Sequence, residues 1–200
     1  MGAHPQPAAG DAARDNAFRQ ELTRLIPQLR AFARTLCGDA TAADDLAQDA
    51  MLKAWDARQS FQMGTNMKAW TFMILRNQFY SEKRRSWRQT QLDQEVAERT
   101  LVAVDDPEAP VALDELRQGL GMLPAEQREA LILVGVVGFA YEEAAAICNC
   151  AVGTVKSRVS RARRALQGIL ETGDYDRDNA SAGDAMATIL AHAERLSSGK

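Results

Sequence analysis

Two short helical stretches across a tight turn constrain this chain more than any other feature. Glu142–Cys148 and Val152–Leu166 have the spacing of a helix-turn-helix. Ala144, Ala145 and Ile147 give the first stretch a small inner face, so the second can cross it closely. In the second, Val155, Val159, Ala162 and Leu166 recur at steps of four, three and four and turn inward together. Thr154, Lys156, Ser157, Arg158, Ser160, Arg161, Arg163 and Arg164 are left outward or on the flanks. Lys and Arg bond guanine edges or neutralise phosphates, and Ser and Thr serve either purpose. A helix seated in a major groove needs this composition. The alternative is a solvated basic face. The turn, the apolar register and the lack of any acid from Val152 to Gln167 weigh against it.

Charge is segregated along the rest of the chain, although the net value is only −3. Asp39–Asp56 carries five acids against Lys53, and Arg76–Arg88 carries five bases against Glu82. Such blocks suit two kinds of partner: nucleic acid for the basic ones, a basic protein surface for the acidic one. Phe61, Trp70, Asn77 and Tyr80 interleave with Arg76, Lys83, Arg84 and Arg85. Aromatic rings stack on bases while cations follow phosphates, so this combination suits a single strand. The adjoining loop, Phe61–Asn66, is placed to hold an extruded base. A second reading stands beside this one: Trp70 and Phe72 are core, and the basic run closes a helix where positive charge is favourable.

The periodicity is helical throughout, with no strand alternation, and predicts an all-α protein of two small domains. Residues 1–15, rich in Ala, Gly and Pro, are expected to form a disordered tail. They show no basic start and apolar run of a secretory leader. A first domain is expected over 16–90. Leu22, Leu25, Ile26, Leu29, Phe32, Ala33 and Leu36 mark one helix, with Pro27 kinking it or opening its first turn. Thr41 and Asp44 give a capping-box spacing for a second helix, with Leu46, Ala50, Leu52, Ala54 and Trp55 inward. A third runs from Met67 to Arg88. Residues 91–111, acidic and containing Pro107 and Pro110, read as an extended linker. The second domain occupies 112–171, with Pro124 starting a helix that Gly138 stops. Residues 172–200 form an extension with one possible short helix near its end.

Enzyme motifs are lacking. There is no phosphate-binding glycine loop, nucleophile elbow or paired-histidine metal helix. His4 and His192 fall in the expected tails, and Cys148 and Cys150 have no second ligand pair, which makes them turn residues. No cofactor or metal is expected. Asp44, Asp45 and Asp49 are the only dense carboxylate cluster, without the open metal site that nucleic-acid hydrolysis requires. No apolar run reaches the roughly 20 residues of a membrane span, and the cytoplasm is the default location.

Asp44-Asp45-Leu46-Ala47-Gln48-Asp49-Ala50-Met51-Leu52-Lys53-Ala54-Trp55 resembles region 2.2 of extracytoplasmic-function (group IV) sigma factors. Ala69–Asn77 resembles their regions 2.3 to 2.4, and Tyr141–Ala145 with Val152–Arg163 their region 4.2. Leu29–Arg34, Ser60–Asn66 and Asn77–Glu82 are similar to the EcfG-type general stress response branch. The resemblance implies a transcription initiation factor, not an enzyme. By it, Asp44, Asp45, Gln48, Asp49 and Trp55 bind core RNA polymerase. Phe61, Gly64, Thr65, Asn66, Asn77, Lys83, Arg84 and Arg85 melt and hold the minus-ten promoter strand. Lys156, Ser157, Ser160 and Arg161 face bases of the minus-thirty-five duplex, with Thr154, Arg158, Arg163 and Arg164 on phosphates. Other readings are a free-standing helix-turn-helix regulator, which leaves the acidic helix without a role, and a sigma-like decoy that titrates an anti-sigma factor, which would lose the DNA-reading residues.

An anti-sigma protein is also expected, small, soluble and NepR-type if the EcfG-like resemblance holds. It would cover the acidic face of the first domain and an apolar patch of the second. Leu131, Val134, Val137 and Phe139 are the patch candidates, because they exceed what one small domain must bury.

Overall fold

A computed structural model describes residues 9–90 and 111–172. The expected linker, apart from Val111, and the expected C-terminal extension, apart from Thr172, lie outside the described residues, as do His4 and His192. Among the described residues every regular element is helical: α1 (Ala9–Arg24), α2 (Ile26–Cys37), α3 (Ala40–Asp56), a single 3-10 turn (Arg58–Ser60), α4 (Met67–Thr90), α5 (Val111–Gly121), α6 (Ala125–Gly135), α7 (Tyr141–Cys148) and α8 (Val152–Thr172).

The N-terminal boundary differs from the expected one. Residues from Ala9 onward are helical, Phe18 and Leu22 line the buried side of α1, and Leu25 is buried at the junction with α2. Two polar contacts hold its first half down: Arg14 donates to the Phe61 carbonyl at 3.1 Å, and Arg58 Nε lies 3.1 Å from the Asp15 carboxylate. Both partners are more than forty residues away, so no local signal announces them. The apolar stripe from Leu22 to Leu36 is split between two helices. Pro27 sits in the first turn of α2, where its missing N–H leaves no bond unmade.

The cap of α3 is also shifted. Asp39, not Thr41, accepts the Ala42 N–H at 2.7 Å, so the helix begins at Ala40. Ala43, Leu46, Ala47, Ala50 and Ala54 form its buried face. Small residues there let α2 and α4 approach closely. Leu52, expected inward, is 58% exposed, because it stands two positions from Ala50 on the opposite side of the helix. Phe32 and Phe72 meet at the centre of α2–α4 with ring centroids 5.0 Å apart.

In the second group, α6 and α8 cross over Ile132, Leu133, Val155, Val159 and Ala162, all almost fully buried. The α6 helix ends at Gly135, a turn earlier than expected, and Gly138 (φ +80°) lies in the connection to α7. At Gly119 the α5 backbone comes so close to α8 that a Cβ would stand 2.8 Å from Leu166 Cδ1. The candidate apolar patch is largely covered. Leu131 and Phe139 are buried, and Val134 and Val137 are half-buried. Part of that cover comes from the first domain, where Phe72 meets Phe139 edge to face at 5.2 Å.

Candidate nucleic-acid interface

The basic face of α8 is built from the turn upward. Asn149 ends α7 in the left-handed conformation (φ 50°, ψ 52°), which Asn tolerates better than most residues. Val155, Val159 and Ala162 then anchor α8 as the spacing predicts, with Leu166 half-buried. Lys156, Ser160, Arg161, Arg163 and Arg164 are exposed along one side. Ser157 and Thr154 are half-buried; Ser157 Oγ donates to the Thr154 carbonyl at 2.9 Å, and Arg161 lies back on Ser157 Oγ at 3.0 Å. Tyr141 of α7 adds a ring to this face, 5.6 Å from the Lys156 ammonium, and shares a groove with Ser160, Arg163 and Arg164. Tyr141 stands in the segment that resembles region 4.2, and the turn brings its ring to α8.

Arg158 points elsewhere. Its guanidinium reaches Glu126 of α6 at 2.5 Å and Cys150 Sγ at 3.9 Å. It ties the helix-turn-helix to α6, and in this arrangement it is not presented with the exposed Lys156, Arg161, Arg163 and Arg164. Burial, and then the nearby Glu129 carboxylate, push the Cys148 thiol up to about 12, so it stays protonated at neutral pH. Among the described residues no group of three or more His, Cys, Asp or Glu is arranged to hold a metal ion.

The second basic surface runs along α4. Its entry loop is exposed from Gln62 to Asn66. Gly64 takes φ +90°, a conformation that L side chains rarely adopt, and a Cβ there would meet only open space. Thr65 Oγ1 bonds back to the Gln62 carbonyl at 2.7 Å, and Asn66 Oδ1 accepts the Ala69 N–H at 3.0 Å, capping α4. Phe61 departs from its expected role. It is 4% exposed, packed on Trp70 at 5.0 Å and Phe18 at 5.7 Å. Its ring supports the loop from beneath and is not available to stack on a base. Asn77, Lys83, Arg84 and Arg85 are exposed, and Tyr80, Lys83, Arg84 and Arg88 line a shallow groove. Asn66 and Arg84 are 18 residues apart on a helical path, about 27 Å at 1.5 Å per residue. The loop and the cationic end are therefore two ends of one long surface.

Arg76 is not a free cation of that surface. Its Nε and Nη2 approach the two oxygens of Glu129 at 2.6 and 3.3 Å, and Tyr80 Oη donates to the same carboxylate at 3.2 Å. Glu129 lies on α6 and its side chain has no exposed surface. It is absent from the candidate residues read from the sequence. Its spacing from Ile132 and Leu133 places it on the inward face of α6, which is the one signal available.

On α3 the acids divide by environment. Asp44 accepts the Arg30 guanidinium, with Nε at 2.8 Å, which holds its carboxyl below the usual range against an opposing push from partial burial. It braces α2 against α3. Asp45, Gln48 and Asp49 are exposed and share a face with Leu52. Trp55 is half-buried against Phe18, with the Arg58 guanidinium 4.5 Å above its ring. Asp45, Gln48 and Asp49 thus lie together with an exposed leucine, Leu52, that the apolar spacing predicts inside.

Comparison with known proteins agrees with this layout. The chain matches the family description of sigma-70 region 2 over residues 22–89 and that of sigma-70 region 4 over residues 113–166. The ECF RNA polymerase sigma factor EcfG of Rhodopseudomonas palustris is 47% identical over 155 residues, covering 78% of this chain and 86% of that protein. Among solved structures, the sigma factor RpoE from Bartonella quintana, in complex with the anti-sigma factor NepR, is 49% identical with a TM-score of 0.70. The match covers 78% of this chain and 97% of RpoE. CnrH in complex with the cytosolic domain of CnrY is 25% identical with a TM-score of 0.56, over 80% of this chain and 94% of CnrH. Region 2 falls on the end of α1 through α4 and region 4 on α5–α8, and with both regions in order the chain belongs to the extracytoplasmic-function sigma factors of the sigma-70 family.

Proposed function

We propose that this sigma factor works through three separate faces. The exposed side of α3, with Asp45, Gln48, Asp49 and Leu52, docks on core RNA polymerase. The loop Gly64–Asn66 with Asn77, Lys83, Arg84 and Arg85 holds the minus-ten strand. The α8 face, with Lys156, Ser157, Ser160 and Arg161 toward bases and Arg163 and Arg164 toward phosphates, reads the minus-thirty-five duplex. The observation that carries this reading is the placement of one acidic and two basic exposed faces on a single chain. The chain makes no covalent bond. Binding energy offsets the unstacking of promoter bases, a few kcal/mol per step. Two DNA modules held by one polymerase act through effective concentration, so neither needs high affinity alone.

The setting follows from the relatives. We assign the chain to the stress response on its likeness to EcfG, and to the cytoplasm, where polymerase and template are. No helix among the described residues is long and apolar enough to cross a membrane. An anti-sigma protein of the NepR type is the expected inhibitor, since the Bartonella relative was solved with the anti-sigma factor NepR. The retained cations of α8 favour this reading over a DNA-blind decoy. Transcription in vitro from a promoter library should appear only when chain and core polymerase are both present. Sequence-specific promoter footprints by the chain alone, unaffected by core polymerase, would overturn it.

Base and phosphate contacts should separate on mutation. Arg161→Ala should weaken discrimination at one minus-thirty-five position by about 1–3 kcal/mol. Arg164→Ala should weaken binding to every sequence alike and reduce the salt slope by about 1. Holoenzyme binding to matched and mismatched duplexes across a salt series measures both, and identical profiles for the two variants would refute the assignment.

A further inference from the structure

The loop assigned to the minus-ten strand is a small turn closed largely on itself. The Thr65 N–H and hydroxyl both donate to the Gln62 carbonyl, at 3.2 and 2.7 Å. Gly64 turns the chain at φ +90°, and Asn66 fastens the far end to α4 by accepting the Ala69 N–H at 3.0 Å. The near end leaves from Phe61, so the Phe61–Gln62 peptide sets the direction in which the turn points. A peptide unit is planar. With the Phe61 ring packed in place, holding the carbonyl fixes that plane.

The hold comes from α1. Phe18 packs against the Phe61 ring at 5.7 Å and against Trp55 and Trp70 at 6.1 Å each. One helical turn earlier, Arg14 donates to the Phe61 carbonyl at 3.1 Å. Its neighbour Asp15 takes the Arg58 guanidinium at 3.1 Å, and Arg58 also donates to the Trp55 carbonyl at 3.0 Å. Two consecutive residues of α1 therefore secure the 3-10 turn at its first residue, Arg58, and just past its last, at Phe61. Both stand before the residues matched to sigma-70 region 2, which begin at 22.

We propose that Arg14 and Asp15 are positioning residues for promoter opening, which aim the minus-ten loop from α1 so that its base-holding face is formed before the strand arrives. The inference rests on the reading of Gly64–Asn66 as part of the strand-binding surface. Stability is a poor account of these contacts. Arg14 is exposed, and water can replace it on the carbonyl at small net cost. Orientation is what water cannot supply. A loop left to choose its direction must be ordered when the base binds, and that ordering lowers affinity.

The test uses holoenzyme and a labelled single strand carrying the minus-ten sequence of a promoter recovered from the transcription library. Abasic sites are placed along it one at a time, and binding is read by fluorescence anisotropy. In the wild type, one abasic position should weaken binding on the order of tenfold, the worth of a held base. Arg14→Ala should bind the intact strand about fivefold more weakly, the worth of one hydrogen bond. It should bind that abasic strand as the wild type does, so the penalty falls to about twofold. Arg14→Lys keeps a donor and should restore the penalty. Asp15→Ala should also shrink it, although loss of a carboxylate would by charge alone tighten DNA binding. Helix content by circular dichroism and assembly with core polymerase should be unchanged in all three variants. Equal weakening on intact and abasic strands would make Arg14 a phosphate contact and overturn the positioning role. A full penalty retained in Arg14→Ala and Asp15→Ala would overturn it too, leaving the loop as strand holder. A wild type with no abasic-sensitive position would overturn the reading of the loop itself, and the inference with it.

Discussion

Phe72→Ala should lower stability by about 3–5 kcal/mol, the cost of deleting a buried aromatic ring and leaving its cavity. The ring has no exposed surface and bridges two packing layers, Phe32 at 5.0 Å and Phe139 at 5.2 Å. Urea denaturation followed by far-ultraviolet circular dichroism measures the loss. Leu52→Ala is the control. Its side chain is 58% exposed on the far side of α3, so the fold should hold to within about 0.5 kcal/mol. Equal destabilisation by the two substitutions would mean that the aromatic centre does not organise the first domain.

The second large effect is on polymerase binding. Asp45→Lys together with Asp49→Lys should abolish detectable assembly with core RNA polymerase while leaving the fold intact. Both carboxylates are exposed, and neither is the Asp44 that braces α2 through Arg30. Charge pairs across protein interfaces are worth roughly 1.5–7 kcal/mol when close, and reversal replaces attraction with repulsion. Two reversals therefore correspond to a loss of at least about 100-fold in affinity, taking 1.4 kcal/mol as tenfold. Native gel assembly with core polymerase measures it, with oligo-thymidine binding as the control that α4 is unharmed. Assembly at wild-type affinity would remove α3 from the polymerase contact. Asp44→Asn should behave differently, lowering stability through loss of the Arg30 contact as well as any effect on assembly.

The buried acid on α6 decides which cations of α4 stay free. Glu129 and Arg76 are 53 residues apart, so no local spacing pairs them. Arg76 reads from sequence as a strand-facing cation with Lys83–Arg85, because local sequence does not show which side of α4 is covered. Phe61 and Arg158 follow the same logic. An aromatic next to a basic helix and a basic residue in a recognition helix look functional in sequence. The structure instead gives Phe61 the rings of Phe18 and Trp70, and Arg158 the carboxylate of Glu126.

What the sequence determined by itself was local and periodic. The inward steps Val155, Val159 and Ala162, the turn before them, the run of alanines along α3 and the segregated charge blocks were all legible, because helix packing and net charge follow from spacing within one segment. Only the tertiary structure decided which side of each helix remained for partners. Leu52 faces out, Asp39 caps α3, Arg14 and Asp15 tie α1 to Phe61 and Arg58, and the apolar residues around Val137 and Phe139 find α4. Each of these depends on a partner set by chain crossing over long separations, and the physical reason is the same throughout: spacing determines which residues share a face, while burial depends on what packs against that face.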